Sequence, residues 1–215
     1  MSPGVETKTI LLAPGEPSRE AVERSARAIA SGGVIVYPTD TIYGLGCDAT
    51  NRDAVRRVYE IKRRPETMPM IVLVGSIKEA AGLAEGVPAL AEELMRACWP
   101  GPLTVLLRAN ASLYPWLSAG SGKIGVRFPK HAFCARLMEA SKRPLLSTSA
   151  NLSGQAYVSD VEALRDLFET QVDLFVDAGA LPGSMPSTIV DGSAEVPVLV
   201  REGAVPGASL KRFLA

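Results

Sequence analysis

The chain has 215 residues, in which 23 Lys+Arg balance 23 Asp+Glu and 47% of positions are hydrophobic. That apolar share supports a sizeable core and excludes a disordered chain, while a net charge of +0 excludes the global basic field of a general nucleic-acid binder. Three scattered cysteines (Cys47, Cys98, Cys134) and a single histidine, His131, argue against a zinc site and for a reducing compartment.

In chain order, Ser18 to Ser31 reads as a helix. Ser18 caps it, Val22, Ala26 and Ile29 share a face, and Gly32-Gly33 stops it. Val34 to Tyr37 is a continuous apolar run, as in a strand covered on both faces. Pro38 ends it, and Thr39 to Gly46 reads as a polar, glycine-punctuated loop. Asn51 caps a second helix with Ala54, Val55, Val58 and Ile61 on one side. Ile71 to Val74 is a buried strand, and Ser76 with Glu79 forms a capping box for a short helix. Ala89 to Trp99 is helical, and Leu103 to Leu107 and Ile124 to Phe128 are strands. Ala132 to Ala140 is a helix and Leu145 to Ser149 a strand. Ser159 with Glu162 is a second capping box, before a helix from Val161 to Phe168. Leu174–Val176, Thr188–Val190 and Val198–Val200 follow as strands. The order is α/β with a mixed sheet, read as one domain over 1–215. The N-terminus is polar, no run resembles a signal peptide, and none approaches a membrane span. A cytoplasmic chain with no membrane partner is expected.

Charge is segregated locally. Arg52, Arg56, Arg57, Lys62, Arg63 and Arg64 face only Asp53 and Glu60, and a second basic stretch runs from Lys123 to Arg143. These suggest an anion site; the plain alternative is two solvated helix faces. Neither G-x-x-x-x-G-K-[ST] nor a strand-to-helix G-x-G-x-x-G is present, so spacing alone does not show ATP binding. Three polar segments stand out instead. Tyr37 to Gly46 puts two threonines, a tyrosine and two glycines after a buried strand, which is either a site loop or a turn with Thr39 and Asp40 bonding local backbone. In Lys62-Arg63-Arg64-Pro65 an extended chain points Lys62 and Arg64 to one side, suited to phosphate or carboxylate; the alternative is a frayed basic helix end. In Leu145 to Asn151, Ser147 and Ser149 share one strand face, and burying those hydroxyls is costly without partners from a ligand or from neighbouring loops.

With these segments go Trp99–Thr104 (WPGPLT), Gly125–Pro129 (GVRFP), Ser147–Gly154 (STSANLSG), Pro186–Val190 (PSTIV) and Val200–Gly203 (VREG). Together with YPTDTIYGLG and KRRP, in this order, they resemble the YrdC-like threonylcarbamoyl-AMP synthase family, in its short single-domain form. The resemblance implies a twisted mixed β-sheet flanked by helices, with a large cationic cleft. It implies a nucleotidyltransferase that turns ATP, L-threonine and bicarbonate into threonylcarbamoyl-adenylate and pyrophosphate. A tRNA threonylcarbamoyl transferase then uses the product, and Mg2+ accompanies ATP. Residue by residue it places Lys62, Lys123, Ser149, Asn151 and Arg201 on the nucleotide side, with Lys62 and Arg64 catalytic. Arg64 spans both substrates, and Thr39, Arg127, Ser147, Ser187 and Thr188 go to threonine. No dedicated metal ligand is implied. Where many members carry Lys-Pro, this chain has Met68-Pro69, one cation fewer. The intact Lys62/Arg64 and Ser149/Asn151 pairs favour the active type over close relatives of less certain activity. The competing reading is a double-stranded RNA or tRNA module without catalysis, built on the two basic stretches. A neutral chain with few aromatics beside them leaves at most a weak RNA contact.

Overall fold

A computed structural model describes residues 6–13, 15–182 and 185–214. Part of the polar N-terminus noted above lies outside these residues. The strands are β1 (Lys8–Leu11), β2 (Ile35–Tyr37), β3 (Gly44–Asp48), β4 (Ile71–Leu73), β5 (Leu103–Arg108), β6 (Lys123–Arg127), β7 (Leu145–Ser149), β8 (Leu174–Asp177), β9 (Thr188–Asp191) and β10 (Val198–Arg201). The helices are α1 (Arg19–Ala30), α2 (Arg52–Lys62), α3 (Ile77–Gly82), α4 (Ala89–Cys98), α5 (Ala132–Ser141), α6 (Val161–Phe168) and α7 (Gly207–Leu210). None of the described helices is long and apolar enough to cross a membrane.

The chain forms two compact units, each built from separated stretches. The first combines the chain up to Pro65 with the stretch from His131; the second combines Glu66–Lys130 with the stretch from Met185. The first unit orders its strands β1-β8-β2-β3-β7. The β1–β8 and β8–β2 pairs are parallel, and β2–β3 and β3–β7 antiparallel. Helix α1 packs on α5 and on β2, β3 and β8, burying Val22 and Ile29. Its start follows from Ser18, whose Oγ accepts the Ala21 N–H at 3.2 Å. Helix α2 lies against β3 and is capped by Asn51, whose Oδ1 accepts the N–H of Asp53 at 3.1 Å and of Ala54 at 3.2 Å. The cap of α6 is Asp160, accepting the Glu162 N–H at 3.0 Å, and not the expected Ser159. Both residue types cap well, and the chain is extended at Asp160 (φ −76, ψ 121).

The main departure from the sequence reading is β3. The glycines of YGLG belong to a strand, all five of whose residues are buried. Tyr37 pairs with Gly44 on the neighbouring strand. A Cβ on Gly44 would meet Tyr37 Cζ at 3.2 Å, and one on Gly46 would meet Leu146 O at 2.4 Å. These glycines allow close approach, not turning. Gly46→Ala is therefore expected to lower stability by about 1–3 kcal/mol through overpacking against backbone. A urea melt should show this as a lower midpoint at unchanged slope. Gly82→Ala in α3, where the added methyl meets open space, is the control and should not lower the midpoint.

The second unit orders its strands β4-β6-β5-β9-β10, again mixed: β4–β6 and β5–β9 are parallel, β6–β5 and β9–β10 antiparallel. Helix α4 packs on β5 and on a 3-10 turn at 211–213, burying Ala91, Leu94 and Met95. Ser76 caps α3 by accepting the Glu79 N–H at 3.1 Å. The Glu79 carboxylate takes the N–H of Gly75, one residue before the cap, at 2.8 Å. Pairing along β10 shifts between Leu199 and Arg201, a bulge that re-aims the strand's last residue. In each unit the strand order matches the mixed α/β reading.

Candidate functional site

In the first unit the site begins where α2 ends. Arg63 turns left-handed (φ 50, ψ 42), and its N–H and that of Arg64 return to Glu60 O and Tyr59 O. The extended Lys62–Arg64 geometry expected from Pro65 is therefore not formed. Lys62 is 1% exposed, which also removes the frayed-end alternative. Its ammonium donates to Ser149 O at 2.6 Å, Asn151 O at 2.8 Å and Asn151 Oδ1 at 3.2 Å. An ammonium has three donors, so this set is complete. Asn151 Oδ1 also accepts the Ser149 hydroxyl at 2.6 Å, and its Nδ2 donates to Gln155 O at 2.7 Å. Ser153 N–H returns to Lys62 O at 2.9 Å. Three of the expected residues, Lys62, Ser149 and Asn151, thus form one network. All three lysine bonds go to neutral oxygens, so the buried cation is not neutralised by them. Burial, and then repulsion from Arg64, bring the Lys62 ammonium down to about 8 from 10.5. Burial also lowers the Arg64 guanidinium, against the opposing influence of Tyr59.

The β7 hydroxyls divide their roles. Ser147 accepts the Tyr37 hydroxyl at 2.7 Å, and its own proton remains to donate. Thr39 is 5% exposed and bonds within its own loop: it donates to Ile42 O at 2.7 Å, accepts Thr41 N–H at 3.1 Å and lies 3.0 Å from Thr41 Oγ1. The local-backbone alternative for Thr39 is the arrangement seen. Tyr43, absent from the expected site, joins three segments. Its carbonyl accepts Ala150 N–H at 2.9 Å, while its hydroxyl accepts Ala178 N–H at 2.9 Å and donates to Gly179 O at 2.8 Å. Burial pushes this phenol up to about 12, so it stays protonated. Its motif position was legible in the sequence; its partners, more than a hundred residues away, were not.

In the second unit the residues gather at one end of the sheet. Arg127 on β6 is paired in register with Thr104 of β5, and Leu103 with Thr188 of β9. Arg127 is 7% exposed. Thr104 and Ser187 share a hydroxyl–hydroxyl bond at 2.8 Å, and Arg201 Nη2 donates to Ser187 O at 2.8 Å. Thr104 belongs to the WPGPLT motif. Lys123 is not brought to this end. It starts β6, ~13 Å along the strand from Arg127 at 3.3 Å per residue. There its ammonium meets Asp191 Oδ2 at 2.5 Å. Burial alone would raise the Asp191 carboxyl, but bonds from Lys123 and Ser193 outweigh it and hold the carboxyl below its ordinary range. This pairing gives Lys123 a local carboxylate partner. Among the described residues no group of three or more His, Cys, Asp or Glu side chains is placed to hold a metal ion.

A family model for Sua5/YciO/YrdC, described as "Telomere recombination", matches residues 27–203. A threonylcarbamoyl-AMP synthase of Pyrococcus abyssi is 32% identical over 91% of this chain, which spans 59% of that protein. One from Halorhodospira halophila is 36% identical, covering 89% of this chain and 94% of its own. The crystal structure of P. abyssi Sua5 complexed with L-threonine superposes with a TM-score of 0.91 at 30% identity, over 97% of this chain and 61% of that one. The crystal structure of Escherichia coli YciO gives 0.87 at 32% identity, over 97% and 100%. E. coli YciO itself is named as an uncharacterized protein.

Proposed function

The chain belongs to the Sua5/YciO/YrdC family, and from that premise we propose that it is an L-threonylcarbamoyladenylate synthase acting on ATP, L-threonine and bicarbonate. The family description names a cellular process; the synthase relatives' names supply the chemistry. The observation that carries the reading is the Lys62–Ser149–Asn151 network, a buried cation held only by neutral oxygens, with Arg64 beside it. Such a preorganised charge suits a polyanion.

In the proposed reaction the threonine amine forms an N–C bond with bicarbonate and water leaves. An oxygen of the resulting carbamate attacks the α-phosphorus of ATP. The Pα–O–Pβ bond breaks and pyrophosphate departs with its electron pair. Catalysis here is positioning and charge stabilisation, with no covalent enzyme intermediate. Following the family resemblance, Lys62, Ser149, Asn151 and Arg201 are assigned to the nucleotide, Lys62 through its charge because its three donors are taken, and Arg64 to both substrates. Arg127, Ser147 and Ser187 go to threonine, Ser147 through its remaining donor. Thr39, whose hydroxyl already has local partners, shapes its loop. Magnesium enters on the ATP phosphates, which carry its ligands. A tRNA threonylcarbamoyl transferase consumes the product, a mixed anhydride prone to hydrolysis.

The test is pyrophosphate release with each substrate left out in turn, with the adenylate identified by mass. Release is expected only with ATP, threonine and bicarbonate together. Equal release without threonine would overturn the proposal in favour of plain nucleotide hydrolysis.

A further inference from the structure

We propose that Thr188 is a positioning residue that latches the Arg201 segment, and not a ligand of the amino-acid substrate. The proposal rests on the nucleotide role given to Arg201 above. Thr188 is 0% exposed. Its Oγ1 accepts two backbone N–H groups, from Gly203 at 2.9 Å and Val205 at 3.0 Å. It donates its proton to Val205 O at 2.6 Å. A hydroxyl has one donor and two acceptor sites, and here all three are taken by main chain. The direction is unambiguous, because an N–H only donates. To bond a substrate hydroxyl, Thr188 would have to release one of these backbone partners, an unfavourable exchange.

The surrounding contacts make 186–188 and 201–205 one assembly. Ala204 N–H bonds Pro186 O at 2.9 Å, and Arg201 Nη2 bonds Ser187 O at 2.8 Å. Gly203 lies so close that a Cβ there would stand 2.3 Å from Pro186 O and 2.6 Å from Ser187 C. The glycine is therefore required for contact between the two segments. On the other side of Arg201, the β10 bulge sets its direction. Arg201 thus stands between a bulge and a latch, with one guanidinium nitrogen bound to Ser187 O. The PSTIV and VREG motifs are two halves of this one device.

The experiment measures KM for ATP and for threonine separately, by pyrophosphate release, for wild type, Thr188→Val, Thr188→Ser and Arg201→Ala. Thr188→Val keeps the branched shape and removes the hydroxyl. It is expected to raise the ATP KM about ten- to a hundredfold through misplacement of Arg201, and to change the threonine KM less. Thr188→Ser keeps the hydroxyl and should restore the ATP KM. Combined with Arg201→Ala, Thr188→Val should add little, since both act through one group. A raised threonine KM with an unchanged ATP KM would overturn the proposal. Amide exchange on the wild type needs no variant: Gly203 and Val205 N–H should be protected without ligand and stay so when threonine is added. Loss of that protection on adding threonine would show the hydroxyl swapping partners, and the latch would be wrong. If wild type makes no threonine-dependent pyrophosphate, the functional reading fails, while the exchange data still judge the latch.

Discussion

Lys62→Ala is expected to lower kcat/KM by about 2–4 kcal/mol of transition-state stabilisation, roughly 30- to 800-fold, the scale of one lost preorganised electrostatic contact. Stability should fall as well. The sequence alone suggests exposed cations at 62–64, whose removal would hardly affect folding. Burial of Lys62 at 1% exposure reverses that expectation for this residue. Removing the ammonium takes the Lys62 donor from Asn151 O, at about 1–3 kcal/mol for a group left unmet, while Ser149 O keeps the Asn151 N–H at 2.9 Å. Relief of the buried charge offsets part of this, so a net loss toward the lower end of that range is expected. Arg64→Ala provides the contrast. Arg64 is only partly buried at the helix end, so its loss should reduce kcat/KM on the same scale with a nearly unchanged urea midpoint. The measurements are steady-state kinetics and urea melts on both variants. Near-normal turnover in both would reduce the segment to a structural helix end.

Raising the pH through about 8 is expected to lower kcat/KM for ATP, tenfold per unit once Lys62 has lost its proton. The neutral amine has two donors for three acceptors and no charge for a phosphate. Bound ATP favours the cation, so kcat should break at higher pH than kcat/KM. Arg64 is the second cause of the lowered value, so Arg64→Ala should move the break upward. Stability responds with the opposite sign. The folded value, about 8, lies below the ordinary 10.5. Between these pH values the unfolded chain binds more protons, so this group's contribution to stability rises with pH. Below about 8 the full cost of burying the cation is present. A pH profile of wild type beside Lys62→Ala decides the matter, because the variant should lack this break. A break at the same pH in Lys62→Ala would assign it to another group.

The local features were legible in the sequence because their causes are local. Ser18 and Asn51 cap their helices through bonds to residues two or three positions on. The continuous apolar run at Ile35–Tyr37 became a fully buried strand. Motif order across the chain identified the family. Tertiary structure decided what each polar residue does. Lys62 reaches acceptors 87 and 89 positions away, and the Tyr37–Ser147 bond spans 110. Glycines 44 and 46 look like a turn until a tyrosine ring and a carbonyl are seen against them. Lys123 reads as a free cation until Asp191 stands opposite. Thr188 reads as a pocket hydroxyl until three backbone groups fill it. Residue type states how many bonds a group can make. Only the folded chain determines which of them are already made, and hence which remain for a substrate.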